Sequence, residues 1–165
     1  MKAYNTKFRR RDYEIDVEYT LNRNFMGYTD QKTKVTIGLG VSAISDSFFG
    51  MSQNVKNLDA YYDFLKKDLI PVLRGHILTT EDVLVRNSIH DLMCKLKTTV
   101  GKHFPQKEHI YDRLAQAHSD GLITINDDVI EITPRGKTFL RNICLAFDLK
   151  LWAKEPKDQL FSMAV

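Results

Sequence analysis

The sequence predicts an α+β chain that is mostly helical, with a winged-helix-like C-terminal unit and a small N-terminal β element. Three observations carry this. Residues 12–19 set Asp12, Glu14, Asp16 and Glu18 in strict alternation with Tyr13, Ile15, Val17 and Tyr19, the period of a half-buried strand. Residues 81–98 repeat apolar positions at helical spacing. The last third runs helix, β segment, polar turn, β segment, then a Thr-Pro start to another helix, the element order of a winged helix. Composition and pattern divide the chain into an N-terminal β segment over 1–55 and a helical, winged-helix-like domain over 56–165.

Taken in order, residues 32–37 read as a second strand, 38–45 as the turn after it, and 46–53 as an irregular connector. Asn57 is a candidate N-cap for an amphipathic helix to about residue 67, with Leu58, Tyr61, Tyr62 and Leu65 on its apolar side and Pro71 beyond its end. Thr80 is the candidate cap of the helix over 81–98, whose first turn carries Glu81 and Asp82 where the helix dipole favours acids. Val83, Leu84, Ile89, Leu92, Met93 and Leu96 form its apolar face, and Gly101 is its expected stop. A helix over 110–119 ends at Asp120-Gly121. Residues 122–125 and 129–132 then face each other across Asn126, Asp127 and Asp128 as a hairpin. Thr133 caps, and Pro134 begins, a final long helix to about Trp152.

The chain has 165 residues, 43% hydrophobic and 27% charged, enough for a real core and without a disorder signature. No apolar run approaches the roughly 18 residues needed to span a bilayer, and residues 1–14 show no apolar leader, so the expected location is the cytoplasm. The net charge of +3 is mild, and the basic start (Lys2, Lys7, Arg9, Arg10, Arg11) reads as a solvated tail. Cys94 and Cys144 are flanked by apolar residues and read as buried reduced thiols. His76, His90, His103, His109 and His118 show no metal spacing, and there is no G-x-S-x-G or P-loop. A winged helix invites a DNA reading. Yet the candidate recognition helix carries Asp112 and Asp120, with Glu108 just before it, and the wing tip carries Asp127 and Asp128, where phosphate contacts need Lys and Arg.

The densest constellation is residues 21–45, LNRNFMGYT followed by a polar spacer and VTIGLGVSAIS. Small residues such as Gly38 and Gly40 after a strand allow close approach by a ligand or by another backbone, and spacing alone also fits tight core packing. With QNVKNLDAYY, RGHILTTEDVLVRNSIHDLMC, DGLITINDDVIEITPRGKTFLRNICLAFDLKLW and the terminal QLFSMAV, this block resembles oxygen-independent coproporphyrinogen III oxidase, a radical S-adenosylmethionine enzyme of haem biosynthesis. The match covers residues 21–165 and only the back part of that enzyme. A related haem-chaperone branch carries HN-x-x-YW in place of RNFMGYT and a GAGAH-like run in place of GVSAIS, so the resemblance is to the oxidase branch.

The resemblance implies a reaction in which S-adenosylmethionine and a four-iron four-sulfur cluster in the full-length family generate a radical, and two propionates of coproporphyrinogen III become vinyl groups, giving protoporphyrinogen IX. The cluster needs a C-x-x-x-C-x-x-C run, which this sequence lacks, so no cofactor and no catalytic residue is expected in this chain itself. Whether it is an enzyme stays open. The resemblance implies an apolar contact from Ile44 to a second S-adenosylmethionine, with Gly38 and Gly40 as neighbours. It also makes Arg23, Arg74 and Arg141 candidates for the propionates, because guanidinium donates two parallel hydrogen bonds to a carboxylate. The same arginines would serve equally as helix caps or surface ion pairs. Asn24 and Tyr28 would orient that pocket or stabilise the turn at Gly27. The implied role is the substrate-covering part of the oxidase, inactive alone. The alternatives are a non-catalytic interaction module and a winged-helix DNA-binding protein. The expected partners are a separate radical barrel or a second copy through an exposed strand. Val35, Ile37 and Val41 would pair with the strand over 12–19 or with another chain.

Overall fold

A computed structural model describes residues 8–10, 13–15 and 21–153, with side chains described for residues 21–153. Contacts group the chain into two units, Met1–Thr80 and Glu81–Val165.

The first unit holds three small antiparallel sheets. β1 (Phe8–Arg10) pairs with β2 (Tyr13–Ile15), β3 (Asn22–Asn24) with β4 (Gly27–Thr29), and β5 (Ile44–Asp46), β6 (Gly50–Asn54) and β7 (Val72–Ile77) form the third in that order. Of the strand expected over 12–19, Tyr13–Ile15 is one, and its partner is β1 rather than the Val35 run; the rest of that segment lies outside the described residues. Residues 32–37 are not a strand. Only Thr36 bridges, to Asp46, and every side chain from Gln31 to Ile37 is exposed, so the alternation has no face to bury. The connector expected over 46–53 is instead the β5–β6 hairpin, closed where Ser47 N donates to Gly50 O at 2.9 Å.

α1 (Leu58–Lys66) starts as the sequence required, Asn57 Oδ1 accepting from Ala60 N at 2.9 Å. Its apolar side is not buried, however: Leu58, Tyr62 and Leu65 are exposed. After Pro71 the chain enters β7, an edge strand exposed along its whole length that the sequence reading missed.

The second unit packs on one core. α2 (Thr80–Lys95) stops three residues before the expected end. Leu96 takes a left-handed φ of 60°, and β8 (Lys97–Thr99) leaves to pair with β10 (Val129–Ile132). A third strand is thus added to the wing. α3 (Lys107–Ser119) leads to β9 (Ile123–Asn126), and β9 and β10 meet through a two-residue turn at Asp127 and Asp128. Thr133 Oγ1 accepts from Gly136 N at 3.1 Å, but it does not cap a helix beginning at Pro134: the first helical residue is Gly136, and Arg135 holds the N-cap position. The segment after it is not one long helix. A 3-10 turn over Gly136–Phe139, α4 (Leu140–Leu145) and α5 (Leu149–Ala153) replace it. Asp148 restarts the last piece by accepting from Leu151 N at 3.0 Å. Gly136 is required, since a Cβ there would run into the Leu122 carbonyl. Leu92, Val100, Ile110, Leu114, Ile123, Ile130 and Phe147 fill the core, with both cysteines, free and buried, at its margin. Among the described residues no helix is long and apolar enough to cross a membrane.

Candidate functional site

The segment flagged by the sequence forms two local structures in the first unit. In the β3–β4 hairpin, Asn24 Oδ1 accepts from Met26 N at 2.8 Å and Gly27 N at 3.2 Å, and Gly27 takes φ +135°. Asn24 therefore builds the turn. The hairpin register sets Arg23 opposite Tyr28, with the guanidinium 5.8 Å from the ring centroid, a weak cation–π contact at this exposure. Met26 at the tip is 95% exposed.

The second structure is the loop over 38–43 against β5 and β6. Asn54, 6% exposed, gives its amide to Gly38 O at 3.2 Å and Gly40 O at 2.9 Å. Gly38 N donates to Ser45 Oγ at 3.0 Å and Gly40 N to Tyr61 Oη at 3.1 Å. A Cβ at Gly38 would sit 2.6 Å from Ile44 O, so only glycine fits there. Ile44, half-buried, pairs with Gln53 in the sheet. Gln53 Oε1 in turn accepts from Arg74 Nε at 3.1 Å and Nη2 at 2.8 Å. The N–H groups of Gly38 and Gly40 are committed inside the protein, so a ligand here would bond to neither of them.

The structure thus brings Gly38, Gly40, Ile44 and Arg74 together on one sheet, while Arg23, Asn24 and Tyr28 belong to a separate hairpin. Arg141 lies on α4 of the second unit, exposed. Arg23, Arg74 and Arg141 form no ion pair among the described residues, and the Arg74 guanidinium is bound to Gln53 Oε1. Sequence reasoning missed Asn54 and Tyr61, which shape the loop; a buried amide just before Val55 was the available signal. Among the described residues no group of three or more His, Cys, Asp or Glu could hold a metal ion, and two buried cysteines cannot ligate an iron–sulfur cluster that needs three or four thiolates. This chain does not fit that group.

Lys107, at the start of α3, is taken by Asp128 at 2.6 Å and lies 5.7 Å from the Tyr111 ring centroid. The hydrogen bond to Asp128 holds the Lys107 pKa above its ordinary value, with burial opposing. Burial pushes the Tyr111 phenol up, against the nearby Lys107 charge. The Tyr111 hydroxyl is buried without a hydrogen-bond partner.

No family model matches the chain. Its fold does match the solved coproporphyrinogen III oxidase of Escherichia coli, described as a radical SAM enzyme: the TM-score is 0.72 at 32% identity, covering 81% of this chain and 32% of that one. The two-unit fold is therefore of the class found as one part of a radical SAM protein. Curated relatives agree. The oxygen-independent coproporphyrinogen III oxidases of Synechocystis sp. and Salmonella typhimurium are 33% and 35% identical over 88% and 92% of this chain. That of Escherichia coli K12 is 34% identical over 92%. Over most of its length the chain is similar to the C-terminal portion of the oxygen-independent coproporphyrinogen III oxidases. It spans about a third of the length of these relatives, 34–36%.

Proposed function

We propose that this chain is the substrate-covering part of an oxygen-independent coproporphyrinogen III oxidase-like protein, acting with a radical SAM barrel that lies outside these 165 residues. The observation that supports this best is the apolar surface of the first unit. Ile37, Leu39, Phe49, Ile70 and Ile77 are each at least 75% exposed, a surface of the kind that marks a docking site. Covering a reactive centre and excluding water from it is a common task of such elements. S-adenosylmethionine and the cluster, when held by the barrel, would supply the radical chemistry. The residues of this chain would position and shield: Ile44, with Gly38 and Gly40 beside it, as an apolar contact to S-adenosylmethionine, and Arg23, Arg74, Arg141 and Asn24 as partners for propionates.

The test is reconstitution. Mixed anaerobically with the Escherichia coli relative truncated to its barrel, the chain is expected to co-elute with it and restore decarboxylation of coproporphyrinogen. Separate elution at micromolar concentration would rule the reading out. The chain alone is expected to retain no iron or sulfide after anaerobic reconstitution and desalting; stoichiometric iron would overturn that.

A second reading, a non-catalytic interaction module, is favoured by the missing cluster ligands alone. It is separated from the first by co-elution without restored activity.

A further inference from the structure

A cleft of about 800 Å3 opens in the second unit between α3 and the interrupted C-terminal helices, within the range of about 300–1,000 Å3 typical of small-molecule sites. The interruption creates it. Because α4 ends at Leu145 and the chain turns before α5, Trp152 reaches back, donating Nε1–H to Leu145 O at 2.7 Å. Its ring lies 4.8 Å from the Arg113 guanidinium, which donates Nη1–H to Ala146 O at 3.2 Å. One wall is therefore a preset aromatic–guanidinium pair, while Leu114 and Ile143, 1% and 3% exposed, lie beneath.

Phe139 and Trp152 are 47% and 38% exposed at this cleft, whereas Phe104 and Phe147 are buried in the core. The polar groups are unevenly engaged. The Asp120 carboxylate accepts from Gln116 Nε2 at 2.9 Å. Arg135 is exposed and, like Asn142, has no hydrogen-bond or ion-pair partner among the described residues. Two guanidinium groups face one carboxylate in a largely apolar hollow. That complements an anion with an apolar body, and the fork of a guanidinium suits a carboxylate.

We propose that this cleft binds a small amphiphilic carboxylate, its apolar body against Phe139 and Trp152 and its carboxylate on Arg135 and Asn142. The site lies wholly in the second unit and does not rest on the covering role.

Trp152 is the single tryptophan of the sequence, so its fluorescence and its indole N–H resonance report on this site alone. The full chain is titrated with phenylbutyrate and with its neutral isostere phenylbutyramide. A saturable Trp152 response is expected, with the amide about fivefold weaker, as befits one exposed charge-assisted contact. Arg135→Gln is expected to weaken the carboxylate by a similar factor and leave the amide unchanged. Phe139→Ser should weaken both, and Lys137→Gln, outside the cleft, neither. Unchanged circular dichroism guards against misfolding of the variants. A non-saturating response, equal binding of acid and amide, or an Arg135→Gln chain that binds like the parent overturns the proposal.

Discussion

Fourteen apolar side chains of the second unit, among them Leu92, Val100, Ile130 and Phe147, form one buried cluster. In the first unit, among the residues whose side chains are described, only Asn54, Val55 and Pro71 are buried. A fully buried apolar side chain stabilises by roughly 1.5–3 kcal/mol, whereas a net hydrogen bond contributes about 1 kcal/mol. The second unit is therefore held by packing, and the first by ladders, turns and the Asn54 network. The difference teaches that these two stretches of one chain meet different conditions for order. One carries its own core. The other presents its apolar residues outward.

Core truncation probes that contrast most strongly. Phe147→Ala is expected to destabilise the second unit by about 3–5 kcal/mol in denaturant unfolding. Leu39→Ser in the first unit should change stability by less than about 0.5 kcal/mol while lowering hydrophobic-dye binding. Equal losses from the two would erase the distinction.

Asn54→Ala comes next. It leaves the Gly38 and Gly40 carbonyls without their buried donor, at a cost of about 1–3 kcal/mol. Amide exchange should accelerate over residues 38–43 and stay unchanged in α2 and α3; protection that survives in the loop would show that Tyr61 and Ser45 suffice.

The smallest effect sharpens the view of the second unit. Tyr111→Phe removes a buried hydroxyl without a partner, and a gain of about 1 kcal/mol is expected. The pH dependence has a definite sign. Lys107, raised by Asp128, stabilises fully below the unfolded lysine pKa, and that contribution is lost as pH rises through the folded value. Tyr111, raised by burial, also makes the fold lose stability as pH passes the unfolded phenol value. Melting temperature should therefore fall above about pH 10, and less steeply in Tyr111→Phe. A parallel fall in both would remove the phenol from the account.

Local chemistry was legible wherever neighbours in sequence decide the structure. Asn57 caps α1 as its side chain requires, Asp120-Gly121 ends α3, and Asp127-Asp128 turns the wing. What was illegible depended on partners far along the chain. The run over 32–37 reads as a strand, yet it meets the outer edge of β5 only through the single Thr36–Asp46 bridge. Leu96 continues the apolar pattern of α2 but turns left-handed because β10 offers a ladder to residues 97–99. At the candidate site, Gly38, Gly40 and Ile44 were visible as a motif, but the fact that Asn54 and Tyr61 occupy the glycines' polar groups was not.

The sequence by itself determined the family resemblance, the α+β composition, the caps and turns, and the lack of cluster ligands, since each depends on residue identity and short spacing. Tertiary structure alone decided which apolar faces are buried, where the last helix breaks, and that the break opens a cleft beside Trp152 and Arg113. Those outcomes follow from competition between distant strands and helices for the same backbone partners and the same core volume, and no local pattern encodes the result.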